Sequence, residues 1–203
     1  MTKNKGVTAA ELMARLQSDP EWVAARAKEE KELRRKEKAL QKAERPLLKA
    51  LAKAGFKVSA VEGLASLGRP YTAALPILLE HLQREYPDTI REFIARMLAV
   101  READFARPTL IRLFRTEPNS GVKEGLAVAI AEARNPELLD EIVDLIQDPR
   151  TGTVRLLLLR AVERLAGERL ESLLEELAQQ YPDLQLEIQE IRKRTRRSRR
   201  PRQ

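Results

Sequence analysis

The chain has 203 residues, of which 43% are apolar but only 4% aromatic, so its core is expected to be built from Leu and Ala in packed helices, as one domain with extensions. It has no cysteine, which excludes a disulfide framework, a thiolate zinc site and a cysteine nucleophile. The net charge of +7 is local: Arg192 to Arg202 holds eight basic residues and no acid, and without these the 38 basic residues fall to 30 against 31 acidic ones.

Residues Met1–Val7 read as a loose start. Thr8 with Glu11 forms a capping box for a short helix to about Gln17. Asp19–Pro20 is an N-cap followed by proline in the first turn, and opens a long charged helix that ends at a C-capping Gly55. Pro46 is expected to kink or split it. Leu33, Leu40 and Leu47 recur every seven residues, a seam too thin for a strong coiled coil but sufficient to lie against another helix. Ser59 with Glu62 predicts a second capping box, for a short helix ending near Gly68. Four segments follow from these boundaries: 1–18, 19–70, 71–191 and 192–203. No apolar run approaches the roughly 18 residues that span a membrane. The N-terminus lacks the continuous apolar stretch of a secretion signal, so a soluble, cytoplasmic chain with no membrane partner is expected.

From Tyr71 the chain repeats itself with a period of 32 residues. Helix boundaries are marked at Tyr86–Asp88, Glu117–Asn119, Asp148–Arg150 and Tyr181–Asp183. The first helices align as Leu78, Leu110, Ile142 and Leu174, and as Leu82, Phe114, Ile146 and Ala178. The second helices align as Ile90, Val122, Val154 and Leu186, then Ile94, Leu126 and Leu158, then Ala95, Ala127 and Leu159, then Leu98, Ile130 and Val162. Several columns sharing one period predict stacked helix–turn–helix units.

An apolar first helix, a turn containing Asp or Asn with Pro, and a second helix opening with Ile or Val then Arg or Lys resemble HEAT repeats of the short bacterial kind. Pro76 and Pro108 sit where many such first helices carry a kinking proline. The resemblance covers Tyr71 to about Ile191. It implies an all-α solenoid of about four hairpins, with a charged N-terminal helical arm, a polar C-terminal cap and a degenerate unit within 45–67. It further implies a binding scaffold rather than an enzyme, with a protein partner, and nothing in it asks for a cofactor.

Arg91, Lys123 and Arg155 form a basic column, joined on the second helices by Arg96, Arg160 and Arg164. The column reads either as a structural ladder pairing with turn acids such as Asp88 and Asp148, or as a candidate binding surface. The basic tail Arg192, Lys193, Arg194, Arg196, Arg197, Arg199, Arg200 and Arg202 has no apolar residue except Pro201. It predicts a disordered segment able to neutralise phosphates, and with the second-helix arginines it supports an alternative function in nucleic-acid or ribosome binding. His81 is the single histidine, so a His-pair metal site is excluded; it reads as a surface or groove-edge residue. Some HEAT-like proteins are DNA glycosylases, but the one tryptophan, Trp22, lies outside the repeats, and Tyr86 and Tyr181 read as plugs of hydrophobic seams. Gly121 and Gly125 lack the lysine–hydroxyl ending of a phosphate loop; Gly121 reads as a helix start and Gly125 as a close helix contact.

Overall fold

A computed structural model describes residues 8–10, 13, 16 and 18–198, with the side chains of 197 and 198 excepted, and among these all regular structure is helical. The loose start at 1–7 lies outside the described residues, as does much of the short helix expected over 8–17. The chain divides into two compact units, residues 1–43 and 44–203, a boundary that falls inside the segment 19–70.

Helix α1 (Pro20–Lys53) starts as its sequence dictates. The Asp19 carboxylate accepts from the Glu21 backbone N–H at 2.9 Å, satisfying one of the orphan donors of a first turn. The helix runs through Pro46 and is not split there. It ends in a left-handed glycine, Gly55, at φ +89°. The Phe56 N–H reaches back to the Leu51 carbonyl at 2.9 Å, and the Gly55 N–H to that of Ala52 at 3.1 Å. That paired pattern closes the helix with Phe56 buried beyond it. The capping box expected from Ser59 and Glu62 does not form. Val61–Ser66 is a 3₁₀ turn without a side-chain cap of its own, and its first N–H donates instead to Glu44, on α1, at 2.7 Å.

Eight further helices follow as four consecutive pairs. These are α2 (Leu75–Leu82) with α3 (Asp88–Met97), α4 (Arg107–Thr116) with α5 (Ser120–Ile130), α6 (Leu139–Gln147) with α7 (Arg155–Leu165), and α8 (Leu170–Gln180) with α9 (Gln185–Ser198). The members of each pair touch, and the second helices also touch in succession: α3 with α5, α5 with α7, and α7 with α9. Pro76 and Pro108 lie in the first turns of α2 and α4, where a missing N–H removes no helix bond, and each helix is entered from a 3₁₀ segment. The bend expected at these prolines is thus a junction between two helix types.

Most residues of the repeat columns form the interior, with Val154 half-buried. Leu78, Leu110, Ile142 and Leu174 are fully buried, as are Ile94, Leu126 and Leu158. The fourth repeat is the exception: Leu186 is 79% exposed, and Leu184, Ile188 and Ile191 supply the buried face of α9 instead. Helices α3 and α5 approach closely at Gly125. A Cβ built on Gly125 would fall 2.8 Å from the Glu92 carbonyl oxygen, so only glycine fits there. Truncation of Leu110 to alanine is expected to destabilise the protein by about 2–5 kcal/mol, as a buried large-to-small change. Thermal unfolding that leaves the midpoint unmoved would sink the packing of that column.

Candidate functional site

The second helices open with the basic column, and the structure places every member of it on a partner inside the protein. Arg91 forms an ion pair with Glu117, whose side chain is almost fully buried, and lies 3.5 Å from Asp88. Glu117 belongs to the turn of the following helix pair, and its Oε1 also accepts from the Asn119 N–H at 3.0 Å. Lys123 donates to the Arg150 carbonyl at 2.8 Å and sits 5.0 Å from the Phe114 ring centre. Arg155 is buried, donates to the Gly152 carbonyl at 2.8 Å and lies 4.3 Å over the Tyr181 ring. The expected role of Asp148 is corrected: Arg150, not Arg155, engages it at 2.7 Å. The Arg150 side chain and backbone N–H hold that carboxyl at about 2. Gly152, at φ +59°, turns the chain within 149–154, so that Arg155 starts the α7 helix on the far side of the turn.

The remaining second-helix arginines tie neighbouring helices together. Arg96 bridges Glu92 on its own helix at 2.9 Å and Glu124 on α5 at 3.0 Å. Arg164, on α7, donates to the Ala131 carbonyl at 2.6 Å and lies 3.4 Å from Glu132. Arg160 alone of the six candidates has no partner among the described residues; it borders an open recess with Glu163, Arg164 and Arg194.

The tail expected to be disordered is helical through Ser198. Arg192 pairs with Glu171 at 2.7 Å, Lys193 with Glu190 at 2.7 Å, and Arg194 with Glu163 at 3.0 Å and Glu187 at 3.1 Å. These acids neutralise the charges whose repulsion would extend the chain, and the hydrogen bonds of Arg194 to Glu163 and Glu187 raise its pKa further. Arg196 is helical and exposed. Arg197 is helical, and Arg199, Arg200 and Arg202 lie outside the described residues.

Two polar groups that the sequence does not announce are the most deeply placed. Arg107 is fully buried. Its two terminal nitrogens donate to the Leu98 carbonyl at 2.9 Å and the Val100 carbonyl at 2.7 Å, and its Nε lies 3.8 Å from Asp104. Burial pushes its pKa down to about 10, against the pull of Asp104 and Glu132, so it remains charged at pH 7. The period of 32 held a trace of it, since Arg107 falls in a column with Leu75 and Leu139. Tyr71 completes this carbonyl end of α3, donating to Met97 at 3.0 Å.

The second group is a cluster around His81, which is buried and not at a surface edge. Its Nδ1 and the Tyr86 hydroxyl share a hydrogen bond of 2.7 Å. Burial, with Arg84 nearby, lowers the His81 pKa against the opposing pull of Glu80. Burial raises Glu44 and Tyr86. Among the described residues no cluster of three His, Asp or Glu side chains gathers as a metal site. Tyr181 donates to the Gln147 carbonyl at 2.8 Å, a capping role beyond the seam plug expected of it.

Comparison with known proteins finds no matching family model, no matching curated protein and no matching solved structure.

Arg107→Met keeps the bulk but orphans two buried carbonyls, and is expected to cost about 2–4 kcal/mol, on the scale of hydrogen bonds to a charged group. Denaturant unfolding checks this; an unchanged midpoint at unchanged slope would dismiss the clamp. For Glu44 the folded pKa lies above the unfolded one. The folded state therefore binds the extra proton between the two values, and stability falls as pH rises through that window. Glu44→Gln keeps an acceptor for the Val61 N–H and removes the charge. It should match the parent below pH 4.5 and be the more stable at pH 7; melting curves at both pH values decide.

Proposed function

We propose that the chain is a non-enzymatic helical-repeat module of HEAT-like type, a solenoid of about four hairpins, that binds a protein partner across its second helices. The observation that carries this reading is the balance of charge along those helices. Arg96 lies between Glu92 and Glu124, and Arg194 between Glu163 and Glu187, so cation and anion alternate from one helix to the next. A polyanion is attracted by cations left unpaired, whereas a protein surface with its own mixture of acids and bases can match an alternating one. The succession of contacts from α3 to α9 supports a binding surface that runs along the second helices. Arg160, exposed and unpartnered among the described residues on α7, is the natural first contact on it.

Among the described residues no helix is long and apolar enough to cross a membrane, which is compatible with the cytoplasmic setting expected from the sequence. The test is capture of partners from the native cell by the full chain, with and without nuclease. A protein should remain bound after nuclease treatment, and Arg160→Glu should weaken its capture at least several-fold without moving the melting temperature. If nuclease releases everything bound, the reading gives way to the nucleic-acid alternative.

A further inference from the structure

Two populations of cations stand in contrast. Those on the second helices are held by acids or carbonyls, except Arg160 and Arg196, which have no partner among the described residues, and Arg197, whose side chain lies outside them. The second population lies on α1 within the compact unit 1–43. There Lys28, Lys31, Arg35, Lys38 and Lys42 are all exposed, and none has a hydrogen-bond or ion-pair partner among the described residues. The nearby pair Arg34–Glu30, at 2.6 Å, lies off their line.

Their spacing is 3, 4, 3 and 4, the step that keeps side chains on one helix face. At about 100° per residue the five fall within an arc of roughly 80°, and over about 21 Å of axis no acid shares that arc. Lys31, Lys38 and Lys42 have no carboxylate three or four residues away on either side. Lys31–Arg35 and Lys38–Lys42 are like-charge neighbours at four residues, an arrangement that weakens a helix rather than supporting it. The sequence has acids in plenty on this helix; Glu29, Glu30 and Glu37 fall on the other sides, and Glu32, four residues after Lys28 and three before Arg35, borders the stripe.

We propose that the face bearing Lys28, Lys31, Arg35, Lys38 and Lys42 is a docking surface for the phosphate backbone of a nucleic-acid duplex. Charge complementarity selects the occupant. Four of the five are lysines, compact point charges suited to phosphate but not to bidentate reading of base edges. No aromatic side chain lies on the face, so bases have nothing to stack on and recognition is of the backbone, independent of sequence. A lipid surface fits worse. A helix lying in a membrane interface has its basic residues flanking a broad apolar face, whereas here Trp22, Leu33 and Leu40 lie about 160–180° from the stripe and are interrupted by Glu29 and Glu37. The proposal does not rest on the protein-binding surface of the second helices, nor on the tail.

The test uses the full chain, RNA and DNA duplexes of about 20 base pairs, and vesicles of phosphatidylserine and phosphatidylcholine. Five phosphate contacts on a DNA duplex give a log–log salt slope of about −4.5, or roughly a 500-fold loss of affinity between 50 and 200 mM salt. The triple variant Lys31→Gln, Arg35→Gln, Lys38→Gln should make the slope shallower by about 2.7. Glutamine is nearly as good a helix former as either residue, and circular dichroism checks that helicity holds. The control variant Arg26→Gln, Arg34→Gln, Lys36→Gln removes the same net charge from other faces of α1 and should leave the slope almost unchanged. Preference for RNA or for DNA names the source of the phosphate within the proposal. Equal losses in the two variants, a stripe variant that binds like the parent, or stripe-dependent binding to vesicles but not to duplexes, would each overturn it.

Discussion

A fold made of helices of 8–14 residues after the long first one has many helix ends for its size, and each C-terminal end leaves carbonyls without an internal partner. Satisfying those carbonyls inside the molecule is the constraint on which the rest depends. Arg107 reaches two of them beyond α3 and Tyr71 a third, Arg164 serves the turn after α5, Tyr181 the end of α6, and Arg69 the Gly55 carbonyl beyond α1. A cation is well suited to this task because it meets the negative end of the helix dipole. Most of these donors come from a neighbouring helix or pair, so capping one helix also fixes where the next one lies.

That arrangement explains why the basic column is not a free ladder. Arg91, Lys123 and Arg155 stand at the start of second helices; Arg91 and Lys123 are drawn to Glu117 and the Arg150 carbonyl in the turn of the following pair, and Arg155 to the Gly152 carbonyl of its own turn. Close contact of α3 with α5 at Gly125 then brings Arg96 within reach of Glu124, which a bulkier residue would prevent. Charge on this surface is therefore set by backbone geometry first and by any partner second.

The sequence showed the helices, their boundaries and most of the core, because apolar periodicity and proline-marked turns report on burial and on missing N–H groups, both local properties. It showed less where a decision depends on two distant segments. Glu44 caps Val61 although Ser59 and Glu62 had the right local spacing, because burial between segments outranks a box four residues long. His81 carries no mark of burial in its own neighbourhood; the Tyr86 hydroxyl makes burial tolerable. Arg107 was visible only as a break in an apolar column. The tail reads as repulsive charge until Glu171, 21 residues upstream of Arg192, and Glu163 and Glu187, 31 and 7 upstream of Arg194, are brought beside it.

Helix α1 shows the opposite economy of charge within residues 20–43. Most cations on the second helices settle on nearby acids or carbonyls, and α1 has enough glutamates to do the same. Instead Glu29 and Glu37 flank the side that carries Leu33 and Leu40, while Lys28, Lys31, Arg35, Lys38 and Lys42 gather opposite with Glu32 at their border. Like charges at helical spacing cost helix stability, and Leu33, 57% exposed, contributes little burial in return. The two faces are thus separated in kind as well as in direction: one offers a thin leucine seam edged with acid, which suits another helix, and the other offers only positive charge. A segment with both can engage a protein along one side without covering the cations on the other, so the two kinds of contact need not compete.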